Sequence, residues 1–254
     1  MIAAATEEAG ERARNRAVFD EARREAGRLV KSDGRRDYAS DGVFANFREI
    51  TLGGIPAGVL YRGSHPAIGG NVRAGYAQML AEKAGVVTVI NLVDTEEQLA
   101  EYAGYIPWYQ NFITRGNIVS LSMGVDFTAP EFEAQLKTGL LFMIHHRPPY
   151  LIHGNEGRDR TGFVAALLEA LMNATAEEII ADYMLTYTNY NHLQPEDKRY
   201  QLITGIAEEM LIRINNDKSL THANLQRAAE TYLLTRIGLT RSEVDALKGK
   251  LSGR

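Results

Sequence analysis

The chain has 254 residues, 45% of them hydrophobic, a formal net charge of -4 and no cysteine. That length can bury one sizeable core, the net negative charge argues against a general nucleic-acid binder, and the missing thiols exclude disulfides and thiolate metal sites. No run approaches the roughly 18 apolar residues that span a bilayer, and the opening residues lack the basic-then-apolar order of a secretory signal. Stable membrane insertion is therefore not expected, and the reading is a cytoplasmic protein or an exported one whose signal segment has been trimmed.

From Thr6 to Lys31, Val18, Phe19, Ala22, Ala26 and Leu29 recur every three or four residues, which predicts an amphipathic helix whose many Glu and Arg form a solvated face. The stretch "KSDGRRDYASDG" reads as a loop. Short branched apolar runs then predict strands at "GVLYRGS", "VVTVINLV", "NIVSLSM" and "PYLIHG". Helical patterns lie at "NVRAGYAQMLAEKAG", "TEEQLAEYAGY" and "PEFEAQLKTGLLFMIHHR", then over 161–173 and 175–190. This order predicts an α/β fold: a central, mostly parallel sheet of four or five strands flanked by helices. Everything beyond Gln194 looks helical, over 196–215, 221–236 and 241–248. With no linker-like, repeated or low-complexity tract, 1–254 is expected to form a single domain. Its parts are an N-terminal helical extension (1–40), an α/β core (41–192) and a helical annex (193–254). His145 and His146 are adjacent, diverge on a helix and lack a second ligand at usable spacing, so they read as a helix's last turn. No metal site and no cofactor are expected.

The stretch "YLIHGNEGRDRTGFVAALLEALM", from Tyr150 to Met172, passes from an apolar run through a polar loop into a helix. A loop at that junction brings successive backbone N–H groups and the positive end of a helix onto one point, which suits a phosphate or sulfate. Gly157 allows a tight turn, and the Arg160 guanidinium matches two oxygens of a phosphoryl group. The G-x-x-x-x-G-K-[ST] spacing of nucleotide-binding P-loops is absent.

"HGNEGRDRTG" resembles the H-C-x-x-G-x-x-R-[ST]-G loop of the cysteine-dependent protein tyrosine phosphatases, in particular a bacterial branch whose loop reads H-C-x-x-G-K-D-R-[ST]-G. "NFREI", "LYRGSHP", "VVTVINL" and "EALMNATAEEIIADYMLTYTNY" resemble blocks of that branch in the same order, so the resemblance runs from about Asn46 to Tyr190. It implies a tyrosine or dual-specificity phosphatase that forms a cysteinyl-phosphate. One position departs from the pattern: Gly154 stands where the family carries its nucleophilic cysteine, and the chain has no cysteine to replace it.

The remaining roles follow the resemblance residue by residue. Arg160 binds the phosphoryl oxygens and stabilises the transition state, with Asn155, Glu156, Gly157, Arg158 and Asp159 completing the phosphate-binding loop. Thr161 supplies a hydroxyl beside the nucleophile or acts as the helix N-cap, and His153 shapes the loop. The general acid is Asp126 or Asp159, with Asp126 favoured by its position after the preceding strand; Asp94 is a weaker candidate that reads first as a helix N-cap. Arg158 keeps a positive charge at the rim, which admits a second substrate phosphate, whereas Glu156 adds negative charge to the loop. Trp108 and the tyrosines of "YTNYNHL" are within reach of a pocket wall, although their spacing reads first as core.

The expected partner is a phosphorylated substrate, either a phosphotyrosine protein or a phosphoinositide or inositol phosphate, or inorganic phosphate itself. Three functions are open: a phosphatase disabled at its nucleophile, a natural pseudophosphatase that only binds phosphate, and a hydrolase in which Asp126 or Asp159 activates a water beside Gly154.

Overall fold

The computed structural model describes residues 1–254, the side chain of Ala103 excepted. The α/β architecture expected from the pattern is present, as a five-stranded sheet flanked by helices. Its strands are β1 (Arg48–Ile50), β2 (Leu60–Gly63), β3 (Thr88–Asn91), β4 (Ile118–Ser120) and β5 (Tyr150–His153), in the order β1-β2-β5-β3-β4. β1 pairs antiparallel with β2, and the other pairings are parallel. β5 lies at the centre with all four residues buried, as a strand covered on both faces must be.

The register decides where chemistry can occur. Gly63, His153 and Asn91 sit side by side at the C-terminal ends of β2, β5 and β3. The three segments that follow, at Ser64, Gly154 and Leu92, therefore leave the sheet together at one edge, where open α/β sheets bind ligands.

The helices in chain order are α1 (Ile2–Gly27), α2 (Asp41–Phe44), α3 (Ala74–Lys83), α4 (Glu96–Ala103), α5 (Pro107–Arg115), α6 (Pro130–His145), α7 (Asp159–Leu171), α8 (Ala176–Asn191), α9 (Lys198–Ile214), α10 (Leu225–Thr231) and α11 (Arg241–Leu251). A π-helical stretch, Tyr232–Ile237, continues α10 and stops at the left-handed Gly238. Several boundaries differ from the sequence expectation. α1 begins at Ile2 and ends at Gly27 rather than running from Thr6 to Lys31. β1 and α5 are elements the pattern did not signal, because Arg-Glu-Ile is too short for a visible alternation and α5 is opened by Pro107 at its first turn. α7 starts at Asp159, so Thr161 lies inside the first turn and is not the N-cap; Arg158 holds that position without a side-chain cap.

The principal core is continuous from Ala22 and Ala26 of α1, through Leu60, Ile90 and Ile152 of the sheet, to Leu251 of α11. Every residue of α7 from Thr161 onward is buried, so the helix that opens at the loop is held rigidly behind it. α1 reaches this core through Phe19, Ala22 and Ala26 packed on α9, where Gly205 leaves room for the Ala22 methyl.

Candidate active site

Residues 154–158 cross from β5 to α7, and the structure turns their carbonyls outward. Gly154 O accepts from His153 Nδ1 at 3.2 Å, Asn155 O from the His65 amide at 3.0 Å, and Gly157 O from Arg62 Nη2 at 2.8 Å. Glu156 O accepts from Asn46 Nδ2 at 3.1 Å and from the Tyr190 hydroxyl at 2.8 Å, and Arg158 O from the Gly162 amide at 2.8 Å. With the carbonyls committed on the outside, the amides are left for the concave side. None of the backbone N–H groups of residues 154–160 donates to a protein acceptor among the described residues. Polar groups in that state call for an anion or water.

Gly157 makes this curvature possible: its φ is 67°, and a Cβ there would lie 2.4 Å from the Gly63 carbonyl oxygen. Gly154 differs, because its backbone is not left-handed. A Cβ on Gly154 would meet Thr161 Oγ1 at 3.2 Å and the Gly157 amide nitrogen at 4.0 Å. Thr161 Oγ1 is buried and makes no hydrogen bond. A side chain at position 154 therefore comes into close contact with an unpartnered hydroxyl, with the Gly157 amide nitrogen beyond it.

The charged residues of the loop are held in different ways. Arg160 donates from Nη1 to the Met123 carbonyl at 2.9 Å, and burial lowers its pKa. Arg158 pairs with Asp159 at 3.0 Å and Glu156 at 3.4 Å, and its guanidinium lies 5.8 Å from the Tyr187 ring centre. Burial opposes the charge of Glu156, but Lys31 and then Arg158 outweigh it and hold the carboxyl below its usual range. The negative charge that Glu156 was expected to add is thus already compensated from the segment after α1. Asn155 is exposed and reaches the loop through its backbone.

Both candidate acids line the cleft above the loop. Asp126 is exposed, and its Oδ1 accepts from the Thr128 hydroxyl and amide at 2.6 and 2.9 Å, which lowers its pKa. Asp159 receives the Tyr183 hydroxyl on Oδ1 at 2.9 Å and Arg158 Nε on Oδ2 at 3.0 Å. Asp94 is not the N-cap of α4; Thr95 is, in a capping box with Gln98.

Asp94 instead belongs to a buried hydrogen-bond chain. His65 accepts the Ala67 and Ile68 amides on Nδ1, which leaves its proton on Nε2, 2.7 Å from Asp94 Oδ2. Asn91 donates both to Asp94 Oδ2 at 2.6 Å and to the Tyr109 hydroxyl at 2.9 Å. Tyr109 must then donate to His153 Nε2, 2.8 Å away, and His153 Nδ1–H faces the Gly154 carbonyl. Burial, then the neighbouring His65, pushes the His153 pKa down to about 3. His153 is therefore a neutral ring held between the Tyr109 hydroxyl and the Gly154 carbonyl at the start of the loop.

A second group of residues, not singled out in the sequence, grips the loop from behind. Arg62 is 1% exposed and joins Gly157 O to Asp182 Oδ2 at 2.5 Å, while Arg48 binds Asp182 Oδ1 at 2.7 Å and Asn46 Oδ1 at 2.7 Å. The blocks "NFREI" and "LYRGSHP" carry Asn46, Arg48, Arg62 and His65, so the signal was an arginine inside each short strand with a polar residue just outside it. Trp108 packs on Phe112 at the opposite end of β3, beside Val86, Val87 and Arg147, and does not wall the cleft; Tyr187 does.

The cleft above the loop has a volume of about 1470 Å³. Arg158, Asp159 and Arg160 form its floor, and α1, residues 125–128 and α9 form its walls. A model of the tyrosine phosphatase family matches residues 43–253. The chain belongs to the tyrosine phosphatase family. The match takes in the helical annex, beyond the Asn46–Tyr190 span of the visible resemblance, so the annex lies within the family's own region. It begins after α1, which leaves one wall of the cleft outside the matched residues. No curated protein matches the chain. Among the described residues no helix is long and apolar enough to cross a membrane, and no group of His, Asp and Glu is arranged to hold a metal ion.

Proposed function

We propose that the chain is a tyrosine-phosphatase domain that binds phosphomonoesters at residues 154–160 and is disabled for cysteinyl-phosphate catalysis by Gly154. The observation that carries this reading is the pairing of an undemanding glycine with an unpartnered hydroxyl. Position 154 has no conformational need for glycine, and the close neighbour of a side chain there is Thr161 Oγ1, a buried hydroxyl with nothing to bind. A module selected only to hold phosphate has no use for that buried hydroxyl, which favours a lost nucleophile over a natural pseudophosphatase.

With cysteine at position 154, the roles distribute over the remaining residues. The thiolate, stabilised by the loop amides and the Thr161 hydroxyl, attacks phosphorus as Arg160 binds two equatorial oxygens. Asp159 is assigned the proton for the leaving oxygen. It stands on the cleft floor beside Arg160, positioned by Tyr183, whereas Asp126 is exposed on the cleft wall. A water then cleaves the cysteinyl-phosphate. Without the sulfur, no group at the base of the loop can form the bond to phosphorus, and the unmodified chain retains phosphate.

Two measurements test this. Gly154→Cys should produce vanadate-sensitive hydrolysis of p-nitrophenyl phosphate, and a folded but inert Gly154→Cys protein overturns the disabled-enzyme reading. Calorimetry on the unmodified chain should show phosphate binding that Arg160→Ala weakens by roughly tenfold or more, since a charge-assisted hydrogen bond contributes about 1.5–3 kcal/mol.

A further inference from the structure

We infer that α1 is a recognition element for the polypeptide on either side of a phosphorylated residue, and that Arg16 receives an acidic side chain there. This rests on the phosphate-binding reading of the loop and goes beyond it to an element the family match does not contain.

The first ground is length. Glu8, Arg12, Arg16, Phe19, Arg23 and Gly27 all line the cleft, and their spacing of three or four places them on one helix face. From Glu8 to Gly27 that face is about 28 Å long at 1.5 Å per residue. An extended chain of about eight residues has the same length. A cleft of about 1470 Å³ exceeds the usual range for a small-molecule site, about 300–1,000 Å³, so phosphate or a single phosphotyrosine side chain leaves most of it unfilled.

The second ground is the chemistry of the walls. Basic and acidic side chains line the cleft in equal number. A headgroup with several phosphates requires an excess of positive charge, and an acyl chain requires an uninterrupted apolar wall. The α1 face offers neither, since charged residues alternate with Phe19 along it. A polypeptide, with backbone polar groups, apolar side chains and charges of both signs, matches such a surface.

The third ground is Arg16 itself. Arg12 pairs with Glu8 at 2.8 Å, and Arg23 is bound to Glu209 and lies 3.6 Å from Asp20. Arg158 and Arg213 are also paired with carboxylates. Arg16 has no carboxylate within 4.0 Å among the described residues, and it is exposed on the cleft face midway along the helix.

The test uses the unmodified chain, which does not consume its ligand. Binding is measured for a phosphotyrosine peptide of about nine residues with acidic flanks, the same peptide with basic flanks, capped phosphotyrosine and inorganic phosphate. The acidic peptide should bind at least about tenfold more tightly than capped phosphotyrosine. Arg16→Glu should reduce that advantage by about fivefold, the upper range for an exposed ion pair, and move the preference toward basic flanks. Affinity for capped phosphotyrosine and inorganic phosphate should be the same in both proteins, with helicity by circular dichroism confirming that α1 is intact. Equal affinity for long and short ligands overturns the inference, as does an equal loss for every ligand in Arg16→Glu. Binding to phosphoinositide vesicles that responds to Arg16→Glu, with no peptide preference, overturns it in favour of a lipid. Absence of phosphate binding by the unmodified chain strikes the underlying reading of the loop, a result separable from the peptide comparison.

Discussion

Two glycines of one loop stand under opposite constraints. Gly157 combines a left-handed φ of 67° with a would-be Cβ 2.4 Å from the Gly63 carbonyl, so Gly157→Ala must move the loop away from β2. The left-handed penalty of about 1–2 kcal/mol and an overpacking penalty of about 1–3 kcal/mol predict a loss of roughly 2–5 kcal/mol in urea unfolding, together with loss of phosphate binding. Gly154→Ala carries no left-handed penalty, and its one close contact is the unpartnered Thr161 hydroxyl at 3.2 Å, which must yield by a few tenths of an ångström. Its stability should stay within about 1 kcal/mol of the parent, with phosphate binding retained. The motif's spacing identified both positions, but spacing does not report which glycine the backbone requires. Asp94 shows a related limit. "DTEEQ" contains the Thr95-x-x-Gln98 signature of a capping box, which identifies the cap. The link from Asp94 to His65 and Asn91, by contrast, depends on strands brought together by the sheet.

At the scale of elements, the loop is held by a charge cluster between β1, β2, α7 and α8. Arg48 and Arg62 share Asp182, and Glu169 of α7 lies beside it, 1% exposed. Burial raises the Glu169 pKa well above its usual range, and Asp182 raises it further, while burial of Asp182 itself is outweighed by Arg48 and Arg62, which keep it ionised. The folded state thus binds a proton at Glu169 more tightly than the unfolded chain does. The resulting stabilisation is complete below the unfolded pKa of about 4.3 and is lost as pH rises toward the raised folded value. Glu169→Gln keeps a donor toward Asp182 and removes the titration. Its melting temperature should therefore match the parent near pH 4.5 and exceed it at pH 8, by about 2–4 °C for each kcal/mol relieved. A constant difference between the two proteins at both pH values would contradict this assignment. The depressed Asp182 acts in the opposite direction, below its unfolded pKa, so the two effects fall in separate windows. An acid inside "ALLEALM" was visible in the sequence as a break in an apolar helix. Its partners on β1, β2 and α8 were not, since α7 is apolar all round and periodicity cannot orient a helix of that kind.

Across the whole molecule, α1 divides into two halves with different roles. The spacing of Phe19, Ala22 and Ala26 made its packing face legible, and those residues join the helix to α9. Its charged face was read as solvated, because Glu and Arg at helical spacing look the same in sequence whether they meet bulk water or wall a cleft. Before Phe19 the helix buries no residue, so the core should not depend on it. Deleting residues 2–16, Arg16 included, is accordingly expected to leave the melting temperature within about 1 °C, because surface residues away from special contacts contribute within about 0.5 kcal/mol each way. Deleting residues 2–28 uncovers α9 at Gly205 and removes the burial of Phe19, Ala22 and Ala26. At about 1.5–3 kcal/mol for a buried Phe and about 0.8 kcal/mol for each methyl, the loss is about 3–5 kcal/mol, or roughly 10 °C. The remaining chain still contains the matched residues 43–253 and should unfold cooperatively and bind phosphate. The peptide preference separates the halves again: the shorter deletion should abolish the advantage of the acidic peptide without loss of stability. Thermal melts and peptide titrations on the two truncated proteins distinguish a helix that supports the fold along its second half from one that recognises ligand along its first.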